Sequence, residues 1–135
     1  RPRSSMAPTI VFDDQGEVLL VIGAAGGPTI PVQVARSIIG VLDFGMSAEE
    51  ALAMPLFMSF GPVAFTEEGN LVADMVDELQ ALGHEQIRVI APRGKTNALR
   101  RIDGGWEAAG DPRIEPLLSY EPAPEADQEN AASAP

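Results

Sequence analysis

Ser4-Ser5-Met6-Ala7-Pro8-Thr9-Ile10-Val11, followed after a turn and a second apolar run by Gly23-Ala24-Ala25-Gly26-Gly27, is the stretch that decides the fold. Residues 8–13 read as a strand, Asp14-Gln15-Gly16 as a turn, and Glu17 to Ile22 as a second strand, which makes a β-hairpin. Two hydroxyls stand ahead of the first strand. Two adjacent glycines follow the second and run into a helical pattern. A helix start carries free backbone N–H groups and a partial positive charge. Glycine there lets another group approach the main chain closely. The combination suits a negative charge, either a bound carboxylate or an oxyanion that forms during reaction.

Outward from the hairpin, Val18 to Ile22 is continuously apolar, which predicts cover on both faces of the strand. Residues 30–43 read as a helix with Pro31 in its first turn. Gln33, Arg36, Ser37, Gly40 and Asp43 form one polar stripe on an otherwise apolar cylinder, so most of that helix is expected to be buried. Ser47 with Glu50 three residues on is a capping box for a second helix, which Pro55 ends. Residues 56–66 hold two short strands around Gly61-Pro62. The clearest amphipathic helix is 71–82, with Leu71, Val72, Met75, Val76, Leu79 and Leu82 on one face and Gly83 as its stop. Strands are expected at 86–90, 97–102 and 106–109. One domain, 1–120, precedes a tail, 121–135, that has no large apolar side chain and no basic residue and reads as disordered.

Composition excludes several classes. The 135 residues carry a formal net charge of −11, which argues against nucleic acid and anionic membranes as partners. Cysteine is absent, so there is no disulfide framework, thiol nucleophile or thiolate metal site. No run is long and apolar enough to span a bilayer. Arg1-Pro2-Arg3 reads like the middle of something, and a cleaved or truncated product is the expectation.

Several motifs have plain readings. The loop order G-x-x-G-G does not fit the dinucleotide fingerprint, and Gly94-Lys95-Thr96 lacks the glycine a P-loop needs where Val89 stands. His84 has no second histidine or cysteine beside it, so it reads as solvated and no metal is expected. Asp74, Asp77 and Glu78 lie on the polar face of a helix. Met46, Met54, Met58 and Met75 read as core filler, and Trp106 as packing. By residue type alone, Ser4 and Ser5 make a turn and Gly26-Gly27 a tight loop.

A resemblance changes that balance. Pro2 to Val11, Gly23 to Gly27, then Asp43-Phe44-Gly45-Met46-Ser47-Ala48-Glu49-Glu50-Ala51 and Pro55, resemble the small subunit of γ-glutamyltranspeptidase, a family of N-terminal nucleophile hydrolases. The likeness covers roughly residues 1–113. It implies an α+β fold, part of a four-layer αββα sandwich. It also implies a proenzyme that cleaves itself to free an N-terminal threonine, which attacks a γ-glutamyl amide such as that of glutathione. The acyl group then passes to water, an amino acid or a peptide, without a cofactor. In that scheme Ser4 and Ser5 bind the α-carboxylate of the γ-glutamyl group, and the N–H groups at Gly26 and Gly27 form the oxyanion hole. Asp111-Pro112-Arg113 resembles the family's terminal Asp-x-Arg segment, with a structural role. The chain would be the C-terminal portion of the small subunit, partnered by the large subunit and the rest of the small one. Bacterial relatives are typically periplasmic or secreted.

Thr9 and Thr29 are internal and offer no free α-amino group, so the chain alone is expected to be inactive. Its apolar surfaces predict that it needs the rest of the protein to fold. Many family members carry Pro-Arg-Phe-His where this chain has Pro55-Leu56-Phe57-Met58. That leaves open an acylase with a non-glutamyl acyl group, of the cephalosporin or glutaryl kind, and a non-catalytic binding module.

Overall fold

The computed structural model describes residues 4–114. The segment 121–135 expected to form a tail lies outside them. Strands β1 (Thr9–Phe12) and β2 (Val18–Ala24) form the expected hairpin, with Thr9 opposite Ile22 and Val11 opposite Leu20. The Asp13 carboxylate closes the turn by accepting from the N–H of Gln15 at 3.0 Å and of Glu17 at 2.9 Å. The Glu17 N–H, then the Arg101 guanidinium, hold that carboxyl below its ordinary value of 3.8.

A 3-10 turn (Gly27–Thr29) leads into α1 (Ile30–Leu42), and Ser47 caps α2 (Ala48–Ala53). The capping box is complete. Glu50 N–H donates to Ser47 Oγ at 3.1 Å, and Ser47 N–H donates to Glu50 Oε2 at 2.9 Å. The Ser47 N–H is the main reason the Glu50 carboxyl lies below its ordinary value.

Two sheets follow. The first has the order β1-β2-β6-β7, all antiparallel, with β6 at Thr96–Ile102 and β7 at Gly105–Gly110. The second has the order β3-β4-β5. Its strands are β3 (Phe57–Phe60), β4 (Val63–Glu67) and β5 (Gln86–Ile90), the last parallel to β4. The crossover between β4 and β5 carries α3 (Leu71–Asp74) and α4 (Val76–Ala81). Helices α1 and α2 cover one face of the first sheet, where Leu20, Ile22 and Ala98 pack with Ile30, Val34 and Leu52.

Most of the polar stripe of α1 turns inward, with Asp43 at its end exposed. Gln33 and Ser37 are fully buried and Gly40 is buried, whereas Ile39 and Leu42 are exposed. Each inward group has a reason. Gln33 is hydrogen-bonded throughout, Ser37 Oγ donates to Gln33 O at 3.0 Å, and Gly40 admits α2. A Cβ on Gly40 would stand 2.9 Å from the Ala51 Cβ.

The helix read over 71–82 is two short ones. Met75 breaks it, with ψ 15°, and its N–H bonds to Val72 O in 3-10 fashion. Neither piece has a buried residue. Leu71, Met75 and Leu82 are exposed, so Met75 is not core filler.

The expectation that β2 is covered on both faces holds on one side. On the other, Ile10, Val21, Leu99 and Ala108 form a cross-strand row. An open groove of about 460 Å³ runs along it. Trp106, read as packing, is 52% exposed, and Phe12 is 56% exposed. Bare apolar sheet of this kind leaves the isolated 135 residues prone to association. They are expected to show no sharp, reversible thermal transition in calorimetry. A cooperative transition that survives rescanning would contradict this.

Candidate active site

The register of the hairpin brings the start of β1 and the end of β2 to the same end of the sheet. Ser4 and Ser5, four or five residues before Thr9, are exposed and lead toward that end. The glycine loop leaves β2 at that same end. The ladder between β2 and β6 runs to Ala24 opposite Thr96, and the Ala25 N–H extends it to Lys95 O at 2.8 Å.

Gly26 and Gly27 both take positive φ, 133° and 63°. Side-chain-bearing residues rarely adopt these angles, and a Cβ on Gly26 would lie 2.4 Å from Thr29 Oγ1. Neither N–H of the pair is engaged by an acceptor among the described residues. Two successive free N–H groups on a fixed loop are what an oxyanion requires.

The loop is held from below. Thr29 Oγ1 donates to Gly26 O at 3.1 Å. Gln33 Nε2 donates to Ala25 O at 3.0 Å and to Thr29 Oγ1 at 2.7 Å. Gln33 Oε1 accepts from Lys95 N–H at 2.8 Å and Thr96 Oγ1 at 3.3 Å. In the sequence pattern Gln33 is only one member of the polar stripe. Its partners at Lys95 and Thr96 lie more than sixty residues away, and no local pattern announces them.

A second buried network braces the start of β6. Arg113 Nε lies 2.7 Å from Glu67 Oε2, and Arg113 Nη1 lies 2.9 Å from Asp111 Oδ1. The same guanidinium donates to Leu52 O at 3.0 Å and Met54 O at 2.6 Å, the carbonyls that end α2. Arg36 also donates to both carbonyls. Burial, and then the neighbouring Arg113, lower the pKa of Arg36. Glu67 accepts from the N–H of Gly94 at 3.1 Å, and Asp111 N–H donates to Thr96 O at 2.8 Å. Gly94 has no room for a side chain, since a Cβ would meet Asp111 Oδ2 at 2.2 Å. The Asp-x-Arg segment thus ties α2, β4 and the Gly94-Lys95-Thr96 turn together.

The remaining candidates stay apart from this region's chemistry. Gly94-Lys95-Thr96 enters a strand rather than a helix. His84 is exposed and edge-on to Phe57. Asp74, Asp77 and Glu78 are exposed. Leu56 and Met58 are buried. Among the described residues no helix is long and apolar enough to cross a membrane.

The sequence model of the gamma-glutamyltranspeptidase family matches residues 1–117. The chain is similar to a glutathione hydrolase of Aspergillus flavus, at 33% identity over 84% of this chain and 20% of that protein. It therefore spans about a fifth of the length of that relative. Among solved structures it is similar to a variant of the Helicobacter pylori gamma-glutamyltranspeptidase, at 34% identity and a TM-score of 0.74, over 84% of this chain and 63% of that one. A cephalosporin acylase from Bacillus halodurans, at 23% identity and a TM-score of 0.64 over 73% of this chain and 19% of that one, shares the fold. The α+β arrangement is accordingly part of the N-terminal nucleophile hydrolase sandwich. With the family match running through both the hairpin and the glycine loop, the chain belongs to the gamma-glutamyltranspeptidase family.

Proposed function

We propose that this chain is part of an enzyme that cleaves γ-glutamyl amide bonds, such as that of glutathione, and that it supplies two parts of the active site. Ser4 and Ser5 hold the α-carboxylate of the γ-glutamyl group. The Gly26 and Gly27 N–H groups hold the oxyanion. The observation that carries the reading is the pair of adjacent positive-φ glycines whose N–H groups have no acceptor among the described residues.

The nucleophile in this scheme is a threonine made N-terminal by self-cleavage of a proenzyme, outside these 135 residues. The chain's own threonines, Thr9, Thr29, Thr66 and Thr96, are all internal, so the chain alone is inactive. The threonine hydroxyl gives its proton to its own α-amino group and attacks the amide carbonyl. Negative charge moves onto the carbonyl oxygen, where the two N–H groups meet it. Collapse expels the amine, which takes the proton, and leaves an ester. Water, an amino acid or a peptide then takes the acyl group. The partners are the large subunit and the remainder of the small one, and a periplasmic or secreted location fits the family.

A second reading keeps the loop chemistry and changes the acyl group. The buried Leu56 and Met58 favour it, because they supply neither the cation nor the imidazole common at those positions. Alanine at Ser4 or Ser5 in the complete protein tests the first reading. Loss of a hydrogen bond to a charged group costs about 1.5–3 kcal/mol, so KM for a γ-glutamyl anilide is expected to rise about tenfold or more, with kcat changed far less. An unchanged KM would remove the serines from the site.

A further inference from the structure

We propose that Gln33 is a positioning residue that aims both oxyanion N–H groups, directly and through Thr29; this rests on the reading of Gly26 and Gly27 given above. Peptide planarity sets the direction of each N–H. The C=O of one residue and the N–H of the next belong to one rigid trans unit and point in opposite directions. Gln33 Nε2 donates to Ala25 O at 3.0 Å, which pins the plane that carries the Gly26 N–H. Thr29 Oγ1 donates to Gly26 O at 3.1 Å, beside the longer bond from the Thr29 N–H at 3.4 Å, and so pins the plane that carries the Gly27 N–H. Gln33 Nε2 also donates to that hydroxyl at 2.7 Å and so fixes its direction. Each N–H is therefore turned away from Gln33, toward the side where no described residue accepts it.

Glycine makes this support necessary. Two consecutive residues without Cβ have wide freedom in φ and ψ, and an unheld Gly-Gly peptide can flip. The support is itself fixed. Gln33 is 0% exposed and sits on α1, and its Oε1 accepts from Lys95 N–H and Thr96 Oγ1 at the start of β6. Both hydrogens of its amide nitrogen and both lone pairs of its oxygen have partners. A side chain that only filled space would not need a buried amide bonded to the loop, the helix start and the neighbouring strand at once.

The test uses the complete, self-processed protein with active sites titrated, so that misfolded material does not count. Gln33→Leu removes the side-chain bonds to Ala25 O, Thr29 Oγ1, Lys95 N–H and Thr96 Oγ1. Thr29→Val removes one hydroxyl with little change of shape and carries the test if Gln33→Leu does not fold. Thr29→Ser keeps the hydroxyl. Three quantities are read: kcat on a γ-glutamyl anilide, affinity for a boronate analogue of the donor that becomes tetrahedral on the nucleophile, and affinity for glutamate. Loss of a whole oxyanion donor costs roughly 10²–10³ in kcat, so a misaimed one is expected to cost about tenfold or more. Boronate affinity is expected to fall by the same factor, glutamate affinity to hold within about twofold, and Thr29→Ser to behave as wild type. Unchanged kcat and boronate affinity in both Gln33→Leu and Thr29→Val would overturn the proposal, as would an equal loss for glutamate. Gly26→Ala in the same assays separates the two failures. If it lowers kcat while the Gln33 and Thr29 variants do not, the positioning role alone is wrong. If it also leaves kcat unchanged, the oxyanion reading is wrong.

Discussion

Gly26→Ala in the complete protein is expected to lower kcat by about 10²–10³-fold while KM for the donor stays within a few-fold. The reason is geometric. Gly26 has φ 133°, which an L-residue reaches only under strain. An added Cβ would stand 2.4 Å from Thr29 Oγ1 and 3.1 Å from Gln33 Nε2, the two groups that hold the loop. The contact is relieved either by swinging Thr29 Oγ1 away, which takes its hydrogen bond off Gly26 O, or by rotating a peptide, and both let an N–H turn off the oxyanion. The carboxylate of the donor is held elsewhere in this account, by Ser4 and Ser5, so ground-state binding is spared. A variant with wild-type kcat and correct folding would take the glycine pair out of the chemistry.

Arg113→Ala is expected to destabilise the complete protein by about 3–5 kcal/mol, or to prevent it from accumulating folded, because it breaks a buried ionic network from one side. The Arg113 side chain is 11% exposed and Glu67 is 2% exposed. Asp111 is fully buried. Without the guanidinium both carboxylates stay buried with one cation fewer, and the end of α2 loses donors to Leu52 O and Met54 O. Arg36 remains on the same carbonyls and gains slightly from losing a like-charged neighbour, which offsets little. Arg113→Lys is expected to recover only part of the loss, because one ammonium cannot span two carboxylates and two carbonyls. Denaturant unfolding of the complete protein measures both variants. A change within about 1 kcal/mol for the alanine variant would show that the cluster is surface-like in its energetics.

What could be read from the chain alone was what short-range chemistry decides. The hairpin follows from the Asp14-Gln15-Gly16 turn between apolar runs, and the α2 start from Ser47 and Glu50. The glycine loop stood out because two adjacent glycines sit between a buried strand and a helix. The groups that hold that loop did not stand out. Gln33 reaches Lys95 and Thr96, and Arg113 reaches Leu52, Met54 and Glu67, all by tertiary contacts that periodicity cannot see. The same limit explains the helix read over 71–82. Its apolar spacing is regular, yet it breaks at Met75 and lies half-exposed against β4 and β5, because tertiary packing rather than spacing decides what covers a face. Ser4 and Ser5 were legible only through resemblance, since two exposed serines ahead of a strand have no distinctive physics.

We propose that this chain completes the active site of a self-processing γ-glutamyl hydrolase. The most direct test is to express the complete open reading frame, follow its self-cleavage by mass spectrometry, and record release of the chromogenic amine from a γ-glutamyl anilide. The account predicts cleavage immediately before a threonine, followed by turnover. Cleavage without turnover would keep the catalytic apparatus and move the substrate to another acyl amide. Neither cleavage nor turnover, in a protein that is folded, would contradict the account and leave a binding module with this fold.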